Sequence, residues 1–268
     1  MKRLTILVII ATVITAACKK NIHLDLHNAA GKIVIEGTIN NQSGPYFVGI
    51  SRTITYYDSS AVVPVDGAQL IMSDDAGNVD TLIASGWPGL YQTNTIVGTV
   101  GRNYHLSVIA DGKQYDAFST MPPPVQLDSI GAQVISVRGK TYWGIYGIFM
   151  DPQVTNYYKA FLYVNGEKQS AVTVANDELN NGLSSQTYVT PDFFSQEHDT
   201  IQMQLDAIDK PVYDYFNTLQ QSTLSQTTAA PANPISNFSN GALGYFSAYS
   251  PTLSHHIALD AGGFHRVD

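Results

Sequence analysis

From residue 32 onward, apolar residues recur at every second position in short runs, and turn formers separate the runs. Lys32-Ile-Val-Ile-Glu-Gly-Thr-Ile39 places Ile33, Ile35 and Ile39 on one face of an extended strand, because successive strand side chains point to opposite sides. Asn40-Asn-Gln-Ser-Gly-Pro45 ends that run, and Tyr46 to Thr55 starts the next with Tyr46, Val48 and Ile50 together. Asp74-Asp-Ala-Gly-Asn78 reads as a hairpin connection between Ala68–Ser73 and Val79–Ser85, since Asp, Gly and Asn tolerate the positive φ such turns need. Trp87-Pro-Gly-Leu-Tyr91 makes a corner. Tyr104, Leu106 and Val108 then alternate toward the turn Asp111-Gly112 and the returning strand Gln114–Thr120.

Short strands with turns about every ten residues predict a mainly β chain. Residues 32–121 read as a β-sandwich of immunoglobulin-like or transthyretin-like size. Met121-Pro-Pro-Pro124 follows, and a proline triplet stiffens the chain and removes backbone donors, so residues 122–124 read as a linker. Residues 125–268 read as a second β-sandwich-like domain. Its strands are expected at Val125–Val137, Thr141–Met150, Tyr157–Val164, Lys168–Val174 and Thr200–Ile208, the last half-buried, with closing strands at Gly241–Ser250 and His256–Asp260. Ala175–Gln186 and Gln220–Ala230 are polar and read as loops. One short helix is predicted near 210–221, capped by Asp209, with Pro211 in its first turn and Val212, Tyr215, Phe216 and Leu219 on one face.

The first residues follow a different rule. Lys2 and Arg3 precede the apolar run Leu4–Ile14, and Thr15-Ala-Ala17 stand just before Cys18. The run is shorter than the roughly 20 residues that span a bilayer, and its layout is that of an export signal. Cys18 is the only cysteine in the 268 residues, so no intrachain disulfide can form and a core must supply stability. Small residues followed by cysteine are the acceptor pattern of a bacterial lipoprotein. Residues 1–17 therefore read as a lipoprotein signal peptide, Cys18 as the lipidated residue, and 18–31 as a tether. Two or more acyl chains anchor stably where one is marginal. Thr15 stands where an aliphatic residue is usual, and a plain secretory signal cut after Ala17 is the alternative.

Charged residues are only 13% of the chain, and the net charge is −8. No basic stripe is available to neutralise phosphates along a nucleic acid, so a nucleic-acid partner is excluded.

These elements, in order, resemble a known family. The pattern runs from Cys18 through Lys32–Gly37, Gly44-Pro45-Tyr46, Ser51-Arg52, Val65–Ala68, Ser73–Gly77, Gly89–Tyr91, Val100–Tyr104 and Ser119–Pro122. It continues with Pro211–Tyr215 and Gly241–Tyr249. Together they are similar to the domain-of-unknown-function family 4249 of Bacteroidota outer-membrane lipoproteins, over nearly the whole chain after Cys18. The resemblance implies a β-rich protein lipid-anchored at the outer membrane, beside a TonB-dependent transporter, as an accessory to nutrient uptake. It brings no catalytic residues and no cofactor. Lys19-Lys20-Asn21 replace the acidic residues that often mark surface lipoproteins of this phylum, so the surface-exposed and periplasm-facing placements both stay open.

Motif chemistry is sparse. There is no Gly-x-Ser-x-Gly elbow and no His-Glu-x-x-His. Gly139-Lys-Thr141 ends like a phosphate loop, but Val134 stands where its first glycine belongs. His255 and His256, with His265 nearby, alternate faces on a strand and read as solvated rather than metal-binding. Asp74, Asp75 and Asn78 fit a turn better than a calcium loop. Asp192, Glu197, His198 and Asp199 are the only candidates for a hydrolase, the reading ranked last. The aromatic residues Trp87, Trp143, Tyr245, Phe246 and Tyr249 are the candidate ligand-binding residues, as stacking platforms or partner anchors, against the alternative that they fill the core. The expected function is non-enzymatic binding, as an uptake accessory or alternatively as a carbohydrate-binding or adhesive surface module.

Overall fold

The computed structural model describes residues 31–54, 62–137, 140–178, 181–189, 199–224, 233–260 and 263–267. The signal segment, Cys18, the tether up to residue 30, and Asp192, Glu197 and His198 lie outside the described residues. The chain is mainly β, with several sheets in a sandwich-like arrangement.

β1 (Ile33–Asn40) and β2 (Phe47–Arg52) pair antiparallel, and β3 (Val63–Pro64) adds to the end of β2. β4 (Gln69–Asp74) and β5 (Val79–Thr81) open a second sheet, whereas β6 (Ile83–Ala84) and β7 (Leu90–Gln92) return to the first. β8 (Asn103–Ala110) and β9 (Lys113–Thr120) complete the second sheet in the order β5-β4-β8-β9. The alternation predicted from sequence sets which side chains meet. Ile35, Val48 and Ile50 from the first sheet bury with Leu70, Met72, Tyr104, Leu106 and Val108 from the second. The expected Asp111-Gly112 turn is in place with φ of 51° and 71°, and Asn165 and Gly166 make a further turn with 52° and 82°.

Beyond the proline triplet, β10 (Ser129–Val137) and β11 (Lys140–Met150) pair, as do β12 (Tyr157–Val164) and β13 (Glu167–Asn176). β14 (Ser184–Val189) joins β11, and β15 (Thr200–Ile208) joins β12. Helix α1 (Lys210–Leu224) leads on toward β16 (Leu243–Leu253). β17 (His256–Asp260) and β18 (Gly263–Val267) close the described chain. A second core forms where Ile145 and Phe149 of β11 meet Tyr158, Ala160 and Leu162 of β12 and Ile201, Met203 and Leu205 of β15.

β16 joins the two halves. It pairs antiparallel with β15 through Ser250–Leu253 and parallel with β1 through Leu243–Tyr249. One continuous sheet results, in the order β13-β12-β15-β16-β1-β2-β7-β6. Met121 lies in the first core and Val125 in the second, while Phe246 and Ala248 of β16 return to the first. Gly244 makes the parallel seam possible. Its φ is +92°, and a Cβ there would lie 2.0 Å from the Ile35 carbonyl oxygen, so only glycine fits.

The structure differs from the sequence reading in several places, and the expected strand Val79–Ser85 divides into β5 on the second sheet and β6 on the first. Part of the expected loop Ala175–Gln186 is strand, because β13 extends to Asn176 and β14 begins at Ser184. β14 turns Ser185, Thr187 and Val189 inward, so its buried face is mostly polar and gives no hydropathy signal. β15 is covered on both faces rather than one, with Gln204 and Asp206 buried as well as Met203 and Leu205. The helix continues to Leu224, and so takes in the first residues of the expected polar loop.

Candidate functional site

The outward face of the long sheet carries the site. Directly opposite residues on neighbouring strands share a face, so the register places Lys159 of β12 beside Asp206 of β15. The same face continues through Tyr245, Ser247 and Tyr249 of β16 to Glu36, Thr38 and Asn40 of β1. α1 lies over this half of the face. Asp209 begins the helix as predicted, with Oδ1 accepting from the Val212 N–H at 3.3 Å and Oδ2 from the Thr120 N–H at 2.9 Å. That second bond fixes the helix start against the end of β9. The predicted apolar stripe then packs: Val212, Tyr215 and Phe216 are buried with Ile208, and Leu219 at the end of the stripe is exposed.

Beneath the helix lies a buried ion pair. Lys159 Nζ is 2.9 Å from Asp206 Oδ2, and the two residues are 7% and 1% exposed. The contact is an ion pair whose alignment falls short of a hydrogen bond at that oxygen. Asp206 Oδ1 accepts from Gln204 Nε2 at 2.6 Å, and the Tyr163 hydroxyl donates to Gln204 Oε1 at 3.2 Å. Aromatic rings enclose the ammonium, with Tyr249, Phe216 and Phe161 centroids 5.0, 5.3 and 5.9 Å from Nζ. Burial pushes Lys159 down, yet Asp206, with Tyr245 and Tyr249, holds it above the usual lysine range. Burial and the neighbouring Lys159 charge push Lys168 below that range; its Nζ sits 4.0 Å from the Phe161 centroid. Burial also pushes the Tyr215 hydroxyl up, to about 12.

Around this buried floor, Tyr163, Tyr245, Tyr249 and Asn40 are half-buried. Asn40 Nδ2 donates to the Tyr249 hydroxyl at 3.0 Å, which ties β1 to β16 across the seam. Ser247, between Tyr245 and Tyr249 on the same face, is fully buried, and its Oγ has no hydrogen-bond partner among the described residues.

The sequence-derived candidates scatter. Tyr245 and Tyr249 come together in this cluster, where Tyr245 packs 4.9 Å from both Tyr215 and Phe216. Phe246 points the other way and is fully buried in the first core, so it offers no surface to a ligand. Trp143 is half-buried against the second core. Trp87 stands alone at its corner, 74% exposed. Sequence reasoning missed Lys159 and Asp206. The available signal was a charge set inside an apolar run, in Tyr157-Tyr-Lys-Ala-Phe-Leu-Tyr-Val164 and again in Leu205-Asp-Ala-Ile208.

The other candidate clusters resolve into local structure. Asp74 Oδ1 accepts from the Ala76 and Asn78 N–H groups, and Oδ2 from Asn78 Nδ2 and Arg102, which makes it the organiser of a hairpin. Asp199 Oδ1 accepts from Asn165 Nδ2 at 2.8 Å beside a strand turn. Among the described residues no three His, Cys, Asp or Glu side chains converge as metal ligands, and no helix is long and apolar enough to cross a membrane.

The uncovered half of the same sheet face carries exposed apolar side chains around a single glutamine in the same row. Phe47 of β2, Gln92 of β7 and Ile83 of β6 form one transverse row, with Phe47 44% and Ile83 47% exposed. Leu90 sits in the next row opposite Gly49, and Trp87 projects from the loop joining β6 to β7. The face is thus charged and enclosed under α1, and apolar and open beyond β1.

No curated protein matches the chain in sequence. Residues 19–254 match the model of a family described as a domain of unknown function, DUF4249. That match takes in the first core, the seam, the helix and all of the second core except Ile257, and the chain belongs to the DUF4249 family.

Proposed function

We propose that this protein is a lipid-anchored outer-membrane binding protein that docks, without catalysis, to a TonB-dependent transporter as an accessory to nutrient uptake. The observation that carries the reading is the open half of the long sheet. Phe47 and Ile83 in one row, with Leu90 in the next, leave apolar side chains exposed on this face, and Trp87 stands exposed on the loop that joins β6 to β7, a residue type enriched where proteins bind one another. The Lys2–Cys18 segment supplies the anchor in this reading, and Cys18 is its acylated residue.

Two measurements test it. Mass spectrometry of the mature N-terminus is expected to find an acylated Cys18, and an unmodified N-terminus removes the anchor. Affinity purification from detergent-extracted outer membrane is expected to recover a TonB-dependent transporter. Recovery of none overturns the docking claim.

A carbohydrate-binding role is the second reading. It is favoured by two half-buried tyrosines on one sheet face, Tyr249 hydrogen-bonded to Asn40 and Tyr163 to Gln204, each pairing a ring with a polar group. A glycan array on the purified protein distinguishes the two.

A further inference from the structure

A cleft of about 440 Å³ opens at the end of the first half where the described chain begins, between the start of β1, the end of β2 and the β8–β9 turn. Its lining includes Lys32, Arg52, Lys113, Asp111, Tyr115 and Asn240. Three of these side chains are cationic and one is anionic, in a protein with 14 Lys and Arg against 22 Asp and Glu. The clustering therefore runs against the overall charge.

Three separate elements build it. Lys32 leads into β1, and its N–H is fixed by Thr53 Oγ1 at 2.9 Å. Arg52 ends β2 and pairs with Asp111 in the β8–β9 turn, which holds the guanidinium in place. Lys113 starts β9, and Asn240 Nδ2 donates to the Gln114 carbonyl at 2.7 Å, fixing the remaining wall. Tyr115 is buried among core residues and forms part of the lining. The ammonium groups of Lys32 and Lys113 have no ion pair among the described residues. Two uncommitted ammonium groups beside a guanidinium that is already oriented make a focused positive potential. Such a potential selects a compact, multiply charged anion over a single carboxylate.

We infer that this cleft is a binding site for a phosphate group, carried either on a membrane headgroup or on a free phosphorylated solute. The inference stands apart from transporter docking, because the cleft's residues are none of those on the exposed apolar half of the sheet. Lys32 and Lys113 hold the phosphate oxygens, and Arg52, positioned by Asp111, gives the third contact.

The test is calorimetric titration of the full chain in neutral detergent with inorganic phosphate at low ionic strength. Saturable binding is expected, weakening as salt is added. Lys32→Ala with Lys113→Ala is expected to raise the dissociation constant at least about tenfold, the loss of two charge-assisted contacts. Lys210→Ala, a surface cation on α1, is expected to leave it unchanged. Both lysines of the double variant are exposed, so an unaltered melting temperature certifies its fold. No saturable heat, equal affinity in the double variant, or an equal loss in Lys210→Ala overturns the site. Adding phosphatidylglycerol to the micelles separates the sources: displacement of inorganic phosphate assigns a lipid headgroup, and undiminished phosphate binding assigns a soluble phosphorylated ligand.

Discussion

The two halves of one sheet face, continuous across the seam between β1 and β16, are built on opposite terms. Under α1, the face holds Lys159, Asp206 and Gln204 in a buried network enclosed by Phe161, Phe216 and Tyr249. Beyond β1, it holds Phe47, Ile83, Leu90 and Gln92 with no element over it among the described residues. A generic sheet would do the reverse, burying the apolar half and leaving the charges in water. Burying an ion pair seldom adds net stability over an apolar core. Leaving phenylalanine, isoleucine and tryptophan exposed adds none. The covered half fixes how helix and sheet fit, while the open half leaves its apolar side chains exposed, as the proposed docking requires.

The largest effect should come from breaking the covered half. Asp206→Ala leaves Lys159 buried without its counter-charge and is expected to cost about 3–5 kcal/mol, read as a fall in the urea midpoint. Replacing the whole pair, as Lys159→Met with Asp206→Val, should restore most of that stability. If the double variant is as unstable as the single one, the covered half depends on the charges themselves rather than on filled space.

Alkali attacks the same half. Lys159 is held above the usual lysine range, and burial holds Tyr215, Tyr245 and Tyr249 above the usual tyrosine range. In each case the folded state keeps a proton that the unfolded state loses. The stabilisation is therefore fully present below the unfolded values of about 10, and is lost as pH rises through the folded ones. Melting temperature should fall above about pH 10, with tyrosinate absorbance appearing together with unfolding. Tyrosinate forming well before unfolding would show that the rings are not enclosed.

These residues also show where the sequence was legible. Strands with a clean apolar alternation, such as Ile33–Asn40 and Asn103–Ala110, were readable because one face meets a core and the other meets water. Helix α1 was readable from Asp209, Pro211 and its stripe. β14 was not, since Ser185 and Thr187 do its packing. The parallel seam was not either: Glu36 and Tyr245 are direct partners, and no local signal links positions so far apart in the chain. The buried network depends on that seam and on β15 being covered twice. For that reason Tyr245 and Tyr249 could be named from sequence, but not the lysine and aspartate they enclose.

A smaller loss should follow from Tyr249→Phe, which removes the hydroxyl that accepts from Asn40 across the seam. About 1 kcal/mol is expected by denaturant titration. In the open half, Trp87→Ala and Phe47→Ser should each change stability by no more than about 0.5 kcal/mol, because exposed side chains away from such networks contribute little. Both should instead reduce transporter recovery in affinity purification. A large loss of stability in either variant would mean that the open half is part of the core after all.

The most direct test is site-specific photo-crosslinking in intact cells, with the probe placed at position 47 or 87 and, in a parallel strain, at Leu219 on α1. Docking through the open half predicts crosslinks to a TonB-dependent transporter from positions 47 and 87 and none from 219. Crosslinks from 219 alone, or from none of the three, would contradict it.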